Sequence, residues 1–164
     1  MQSLPILVLT TGGTIDKNYF DALSEYQIVD SGIPALLKEA RVALPFRVEE
    51  VCRKDSLELT QADRSELARL VAQAPESRIV ITHGTDTMTD TAKALAGIAG
   101  KTIVLTGALS PARFAETDAP FNLGMAFAAA QVAPPGVNIA MSGQVFDGLA
   151  VRKDRAAGRF VGLG

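Results

Sequence analysis

The sequence predicts a doubly wound α/β fold: a mostly parallel sheet with helices on both faces, ending in a β-hairpin, within one domain spanning residues 1–164. Three observations carry this expectation. Apolar runs recur at residues 5–9, 78–82, 102–106 and 137–141, and near-continuous apolarity over so few residues is what a strand buried on both faces requires. Segments of helical period lie between them, giving the β-α-β-α order of crossover-linked parallel strands. Two of the runs also exit into stretches rich in threonine and glycine, Thr10-Thr11-Gly12-Gly13-Thr14 and His83-Gly84-Thr85-Asp86-Thr87. In open α/β sheets, ligands bind at the carboxyl ends of the strands, so these two exits mark a site built around hydroxyls.

Each element has its own local signal. Residues 16–30 follow the first strand with no sustained period and read as a polar, aromatic-dotted loop, and loops of that length in compact domains are usually functional or disordered. Residues 33–40 read as a helix with Pro34 in its first turn. A strand follows at 46–51. Thr60 and Asp63 form a capping-box pattern ahead of Leu67, Leu70, Val71 and Ala74, and Pro75 ends that helix. Thr87 to Asp90 offers a similar cap to a helix carrying Ala94, Leu95 and Ile98, which stops at Gly100. Asp118-Ala119-Pro120 opens an alanine-rich helix over 121–132, closed by Pro134-Pro135. Finally, two short runs around Asp147-Gly148 read as a hairpin with a type I′ turn.

Composition removes several function classes. A net charge of −2 with scattered lysines and arginines provides no basic field for nucleic acid. No apolar run approaches the roughly 20 residues of a membrane span, and no signal-peptide pattern precedes the first strand. Cys52 is the only cysteine. It can form no internal disulfide, suits a reducing, cytoplasmic compartment, and reads as a small core hydrophobe. The phosphate-loop and dinucleotide fingerprints are both absent.

The chemistry narrows further. A threonine hydroxyl needs a base within hydrogen-bond reach to act as a nucleophile. His83 is the only histidine, which excludes multi-histidine metal sites, and at a strand end it reads as structural. The bases that remain are lysines, tyrosines and carboxylates. Lys153 and Asp86 are the preferred candidates, since a desolvated lysine can accept a hydroxyl proton, although the same two residues could equally form a structural ion pair. Gly12-Gly13 is either a tight strand-to-helix turn or a loop whose N–H groups hold an oxyanion or a carboxylate.

Taken together, Thr11-Gly12-Gly13-Thr14-Ile15 and Ile81-Thr82-His83-Gly84-Thr85-Asp86-Thr87-Met88 resemble the two signatures of the bacterial-type L-asparaginase/glutaminase family. The likeness continues through Asp55-Ser56, Gly107-Ala108-Leu109, Pro120-Phe121-Asn122-Leu123 and Asp147-Gly148. It implies hydrolysis of the side-chain amide of L-asparagine, or a related small amide, through a threonine acyl-enzyme without metal or organic cofactor. By that resemblance Thr14 is the nucleophile, and Tyr26 is a lid tyrosine that helps activate it. Thr85, Asp86 and Lys153 form a second hydroxyl-carboxylate-lysine group. Gly13, Asp55, Ser56, Gly84, Thr85 and Asp86 contact the substrate, with Ser56 on its α-carboxylate and Asp86 on its α-amine.

The sequence also departs from the family pattern. Family members usually carry a second, C-terminal α/β domain, and with it an acidic residue given to the neighbouring subunit's substrate amine. This sequence matches the first domain alone. Leu57 and Glu58 stand where a polar residue and an aspartate are common. A homodimer or higher homo-oligomer is therefore expected, with the apolar stretch from Phe121 to Phe127 as its surface. The alternatives are a non-catalytic amino-acid-binding module and an amidase subunit of an amidotransferase complex.

Overall fold

A computed structural model describes residues 4–164. Its main sheet has six strands in the order β4-β1-β5-β6-β7-β8, where β1 is Ile6–Gly12, β4 Phe46–Lys54, β5 Arg78–Thr82, β6 Thr102–Thr106, β7 Gly136–Met141 and β8 Gln144–Asp147. The first five are parallel to one another, and β8 returns antiparallel to β7. This is the doubly wound, mostly parallel sheet expected. Strand order reverses beside β1, whose neighbours are β4 and β5, so the crevice of such a sheet opens between the ends of β1 and β5.

Alternate residues of each strand feed two cores. Leu7, Leu9, Ile79, Ile81, Ile103, Leu105 and Ile139 pack against α2 (Gln61–Gln73) and α3 (Met88–Leu95) on one face. Ile6, Val8, Val80, Val104 and Ala140 pack against α1 (Ile33–Glu39) and α4 (Ala119–Val132) on the other. The faces reveal a change of hand. Helices α2 and α3 each accompany a step toward β7 on one face, and α1 accompanies the opposite step on the other, so these three connections share one hand. The β6–α4–β7 connection steps toward β7 with its helix on the α1 face, so its hand is reversed. Because such crossovers are right-handed in nearly all proteins, the exception here is left-handed.

Several local expectations need correction. Residues 16–30 are not an irregular loop. They hold a β-hairpin, β2 (Lys17–Phe20) paired with β3 (Glu25–Ile28), whose strands are short and largely exposed and so carry no apolar period. The last hairpin does not turn at Asp147-Gly148. Strand β7 turns into β8 at Ser142-Gly143, which both take the positive φ that a I′ turn demands. The terminal hairpin joins β9 (Val151–Asp154) to β10 (Arg159–Gly162) across residues 155–158. At Asp147 the carboxylate instead accepts the Leu149 N–H at 2.9 Å, a local turn linking two hairpins. Helix α3 ends at Leu95, short of Gly100, with Met88, Thr91, Ala92 and Leu95 as its buried face.

The capping box at the start of α2 forms as expected: Asp63 N–H donates to Thr60 Oγ1, and Thr60 N–H donates to the Asp63 carboxylate. In α4, Leu123 and Phe127 are buried, whereas Phe121 is 67 % exposed. No helix among the described residues is long and apolar enough to cross a membrane.

The β9–β10 hairpin is held to the sheet through Val151 and Phe160, which enter the same core as α2 and α3. Phe160 is 1 % exposed, so Phe160→Ala should lower stability by about 3–5 kcal/mol. Urea unfolding at constant m-value measures this, and a loss below about 1 kcal/mol would mean that the hairpin does not depend on this anchor.

Candidate functional site

Two glycines set how closely the strand exits approach. Gly12 and Gly13 have φ of 99° and 83°, a region open to glycine and strained for other residues. A Cβ on Gly13 would collide with the Gly84 backbone, and one on Gly84 would lie 2.6 Å from the Ser56 Cβ. Three loops therefore touch backbone to backbone, bringing Thr14, Thr85 and Ser56 to one end of the sheet. The Gly13 N–H is committed to the Lys54 carbonyl at 3.0 Å. Of the two sequence readings of Gly12-Gly13, the geometry therefore bears the tight turn, and the Gly13 N–H is not free to hold an oxyanion.

Lys153 reaches this end of the sheet from β9. Its ammonium donates to Thr85 Oγ1 at 2.7 Å and to Asp86 Oδ1 at 2.8 Å. Because the Thr85 oxygen is the acceptor, its own proton is left to point elsewhere. Arg155, in the turn after β9, lies 3.7 Å from the same Asp86 oxygen. The sequence had not marked it.

On the other side, half-buried Thr14 opens a cleft of about 330 Å³ with Lys17, Tyr26, Leu109, Ser110 and Phe114. Tyr26 comes from β3 and is 54 % exposed, its ring 5.0 Å from Tyr19 and 6.0 Å from Phe114 between centroids. Lys17, also unmarked in the sequence, donates to the Asp55 carboxylate at 3.0 Å. Burial works against the charge on Asp55, but the Leu57 N–H and the Lys17 ammonium outweigh it and hold this carboxyl below its usual range. Glu58 is turned back to accept the Asp55 N–H at 3.3 Å, while Ser56 is 1 % exposed.

Burial shifts the titratable groups beneath the site toward their neutral forms. His83 is fully buried. Its Nδ1 donates to the Gly84 carbonyl at 2.6 Å, so Nε2 is left to accept the Thr91 hydroxyl at 2.7 Å. Burial pushes its pKa down to about 4, which fits the structural reading. Thr87 does not cap α3 with its side chain as expected. Its hydroxyl donates to the Ser56 carbonyl at 2.8 Å, tying the two loops together.

Asp16 roots the β2–β3 hairpin, its carboxylate accepting the Ser31 hydroxyl at 2.9 Å and the Gly32 N–H at 3.3 Å. Burial raises its pKa to about 6, against the lowering by those two bonds. The neighbouring Ile15 carbonyl accepts the Ala112 N–H, and the Arg113 guanidinium donates to the Asp30 carbonyl at 2.6 Å. The segment after β6 is thereby stitched to both ends of the hairpin.

Comparison with known proteins fits this architecture. The family model described as "Asparaginase, N-terminal" matches residues 5–159. An L-asparaginase from Thermococcus kodakarensis is 32 % identical over 165 residues, covering 94 % of this chain and 49 % of that protein. The crystal structure of L-asparaginase I from Vibrio cholerae superimposes with a TM-score of 0.84 at 28 % identity, covering 98 % of this chain and 51 % of that one. One subunit of a glutamyl-tRNA(Gln) amidotransferase from Pyrobaculum aerophilum is 35 % identical over 142 residues, covering 79 % of this chain and 32 % of that protein. The chain thus spans about half the length of the L-asparaginases it matches.

The raised pKa of Asp16 has a defined consequence. Below the unfolded carboxyl pKa of 3.8 its contribution to stability is fully present, and it is lost as pH rises through about 6, because only the unfolded state ionises freely in that window. Asp16→Asn keeps an acceptor for Ser31 and Gly32 but removes the charge. It should stabilise the protein by roughly 1–3 kcal/mol at pH 8 and leave it unchanged near pH 3.5, where Asp16 is already protonated. Melting temperatures of both proteins across this range measure it, and an offset independent of pH would remove Asp16 as its source.

Proposed function

Since this chain belongs to the asparaginase family through its match to the N-terminal family model, we propose that it is an amidohydrolase converting L-asparagine, or a closely related small amide, to L-aspartate and ammonia. The observation that carries this reading is the Lys153 ammonium bridging Thr85 and Asp86 at 2.7 and 2.8 Å, on a loop in backbone contact with the one that bears Thr14. Two hydroxyls at one sheet end, one of them held by a lysine, supply a nucleophile and an oriented proton donor without a metal. Residues 1–164 act in this reading as one catalytic domain.

Thr14 Oγ1 attacks the amide carbon while its proton leaves toward Tyr26, on the hairpin above. The resulting oxyanion collapses, the C–N bond breaks, and the nitrogen departs as ammonia with a proton supplied from the Thr85 side. Lys153 keeps the Thr85 oxygen committed as an acceptor, so that hydroxyl's proton faces the cleft. Water then attacks the Thr14 ester: its oxygen joins the acyl carbon, one of its protons refills the Thr85 side, and the proton held at Tyr26 returns to Thr14 Oγ1 as the C–O bond breaks, releasing the acid. Ser56 and Asp86, with Asp55, Gly13 and Gly84 shaping the walls, hold the α-carboxylate and α-amine.

A second reading has its own observation, the 35 % identity to a component of an amidotransferase. There the chain would release ammonia from an amide only beside a partner. The homo-oligomer remains part of the proposal, supported by Phe121, whose ring lies 67 % exposed on α4.

Ammonia release from L-asparagine and L-glutamine by the purified chain tests the central claim. Thr14→Ala and Thr85→Val should each lower kcat by about a hundredfold or more with folding intact. Parental turnover in Thr14→Ala would remove it as nucleophile, and no turnover without an added transferase partner would favour the second reading. Lys153→Met should lower kcat and alter its pH profile, whereas an unchanged rate and profile would make the lysine structural. Light scattering at assay concentration reads the oligomer, and a fully active monomer would exclude it.

A further inference from the structure

Arg64 lies in the first turn of α2, three residues before buried Leu67 and seven before buried Val71, on the stripe that faces the sheet. A cation on that stripe needs partners, and Arg64 has three. Its guanidinium donates through Nη1 to the Leu59 carbonyl at 3.0 Å, through Nη2 to the Thr87 hydroxyl at 2.9 Å, and through Nε to the Thr91 hydroxyl at 3.1 Å.

Each hydroxyl passes the connection onward. Thr87 donates to the Ser56 carbonyl, and Thr91 donates to His83 Nε2, whose other nitrogen donates to the Gly84 carbonyl. One planar fork therefore spans the turn that carries Ser56 and the loop that carries Thr85.

Other bonds hold the chain on either side of that turn. The Gly13 N–H donates to the Lys54 carbonyl before it, and the Lys54 ammonium donates to the Asp63 carboxylate after it, but neither of these joins Ser56 to the Gly84–Asp86 loop. The turn's own backbone bonds, Glu58 N–H to the Asp55 carbonyl and Leu59 N–H to the Ser56 carbonyl, are local and do not tie it to the sheet. The Lys17–Asp55 ion pair is partly exposed, and such pairs contribute little. Nor does a side chain from Gly84 stand between the loops, since a Cβ there would strike Ser56.

We propose that Arg64 is a positioning residue: its guanidinium holds the Ser56 turn against the Gly84–Asp86 loop, and so sets where the substrate's α-carboxylate lies relative to the reacting amide. This inference rests on the amidohydrolase reading above. It requires the rigid, multi-donor geometry of a guanidinium, which a lysine ammonium cannot reproduce.

The full chain is compared with its Arg64→Met and Arg64→Lys variants, and with Val71→Ala, a core change on the same helix. Arg64→Met should raise KM for L-asparagine and Kd for L-aspartate by about tenfold while kcat falls by less than about threefold, the signature of lost ground-state binding. Arg64→Lys should recover only part of this. Val71→Ala should lower Tm at least as far as Arg64→Met with KM unchanged. Hydrogen exchange, which needs no turnover, should quicken at residues 56–59 and 84–87 in Arg64→Met and stay parental in α4.

Parental KM in Arg64→Met, or an equal rise of KM in Val71→Ala, would overturn the proposal. If Arg64→Met fails to fold, the same comparison runs on Arg64→Lys. A parent chain that releases no ammonia from asparagine would fell the amidohydrolase reading and the carboxylate role with it. The exchange rates would still decide whether Arg64 couples the two loops, and unchanged exchange would end that claim as well.

Discussion

The site depends on a steric constraint: at the reversal of strand order, the exits of β1 and β5 touch backbone to backbone, with Ser56 pressed against the β5 exit at Gly84. Gly13 and Gly84 leave no room for a Cβ, so the loops cannot drift together further, and their neighbours' side chains must point away from the contact. Thr14 and Thr85 each adjoin one of these glycines. The spacing between the two hydroxyls is thus a property of the backbone, and side-chain rotation can change it only locally. Lys153, arriving from a hairpin anchored by Phe160, then needs to find a single fixed target.

Charge is distributed around that contact according to depth. The two titratable groups that are almost fully buried, His83 and Asp16, are shifted toward their neutral forms by burial, with pKa values of about 4 and about 6. The carboxylates nearer water, each 33 % exposed, are instead paired with cations, Asp55 with Lys17 and Asp86 with Lys153 and Arg155. This division follows from desolvation, which penalises an isolated ion far more in the interior than near water. It also means that acid affects the fold through opposing terms: Asp16 gains a proton within the native state, whereas His83 takes one up only on unfolding.

The sequence was legible where burial was two-sided. Strands β5 and β6 have their expected limits because each has an unbroken apolar centre, Ile79–Ile81 and Ile103–Leu105, a pattern neither loops nor surface strands imitate. The β2–β3 hairpin was not legible, since four-residue strands facing solvent leave no hydrophobic alternation. Asp147-Gly148 misled as a turn because its carboxylate closes a local turn, while the less conspicuous Ser142-Gly143 takes the two positive φ values. At the site, the threonine-glycine exits marked Thr14 and Thr85, the shortage of other bases favoured Lys153 with Asp86, and the resemblance gave each its role. Arg64 was overlooked although a signal existed: it breaks the apolar stripe of α2 at the same helical phase as Leu67 and Val71. Lys17 had no such signal, because its partner Asp55 is distant in sequence.

The reversed hand of the β6–α4–β7 connection is also a solution to coverage. Strands lie roughly 4.8 Å apart, so this six-stranded sheet is about 24 Å wide, and a helix packs about 10 Å from its neighbour. Two helices per face nearly roof it. With the usual hand throughout, α4 would join α2 and α3, crowding one face while α1 alone covered the other and left Val80, Val104 and Ala140 open to water. Moving α4 across the sheet divides four helices evenly, two and two, so a chain of 164 residues can close both faces without a fifth helix.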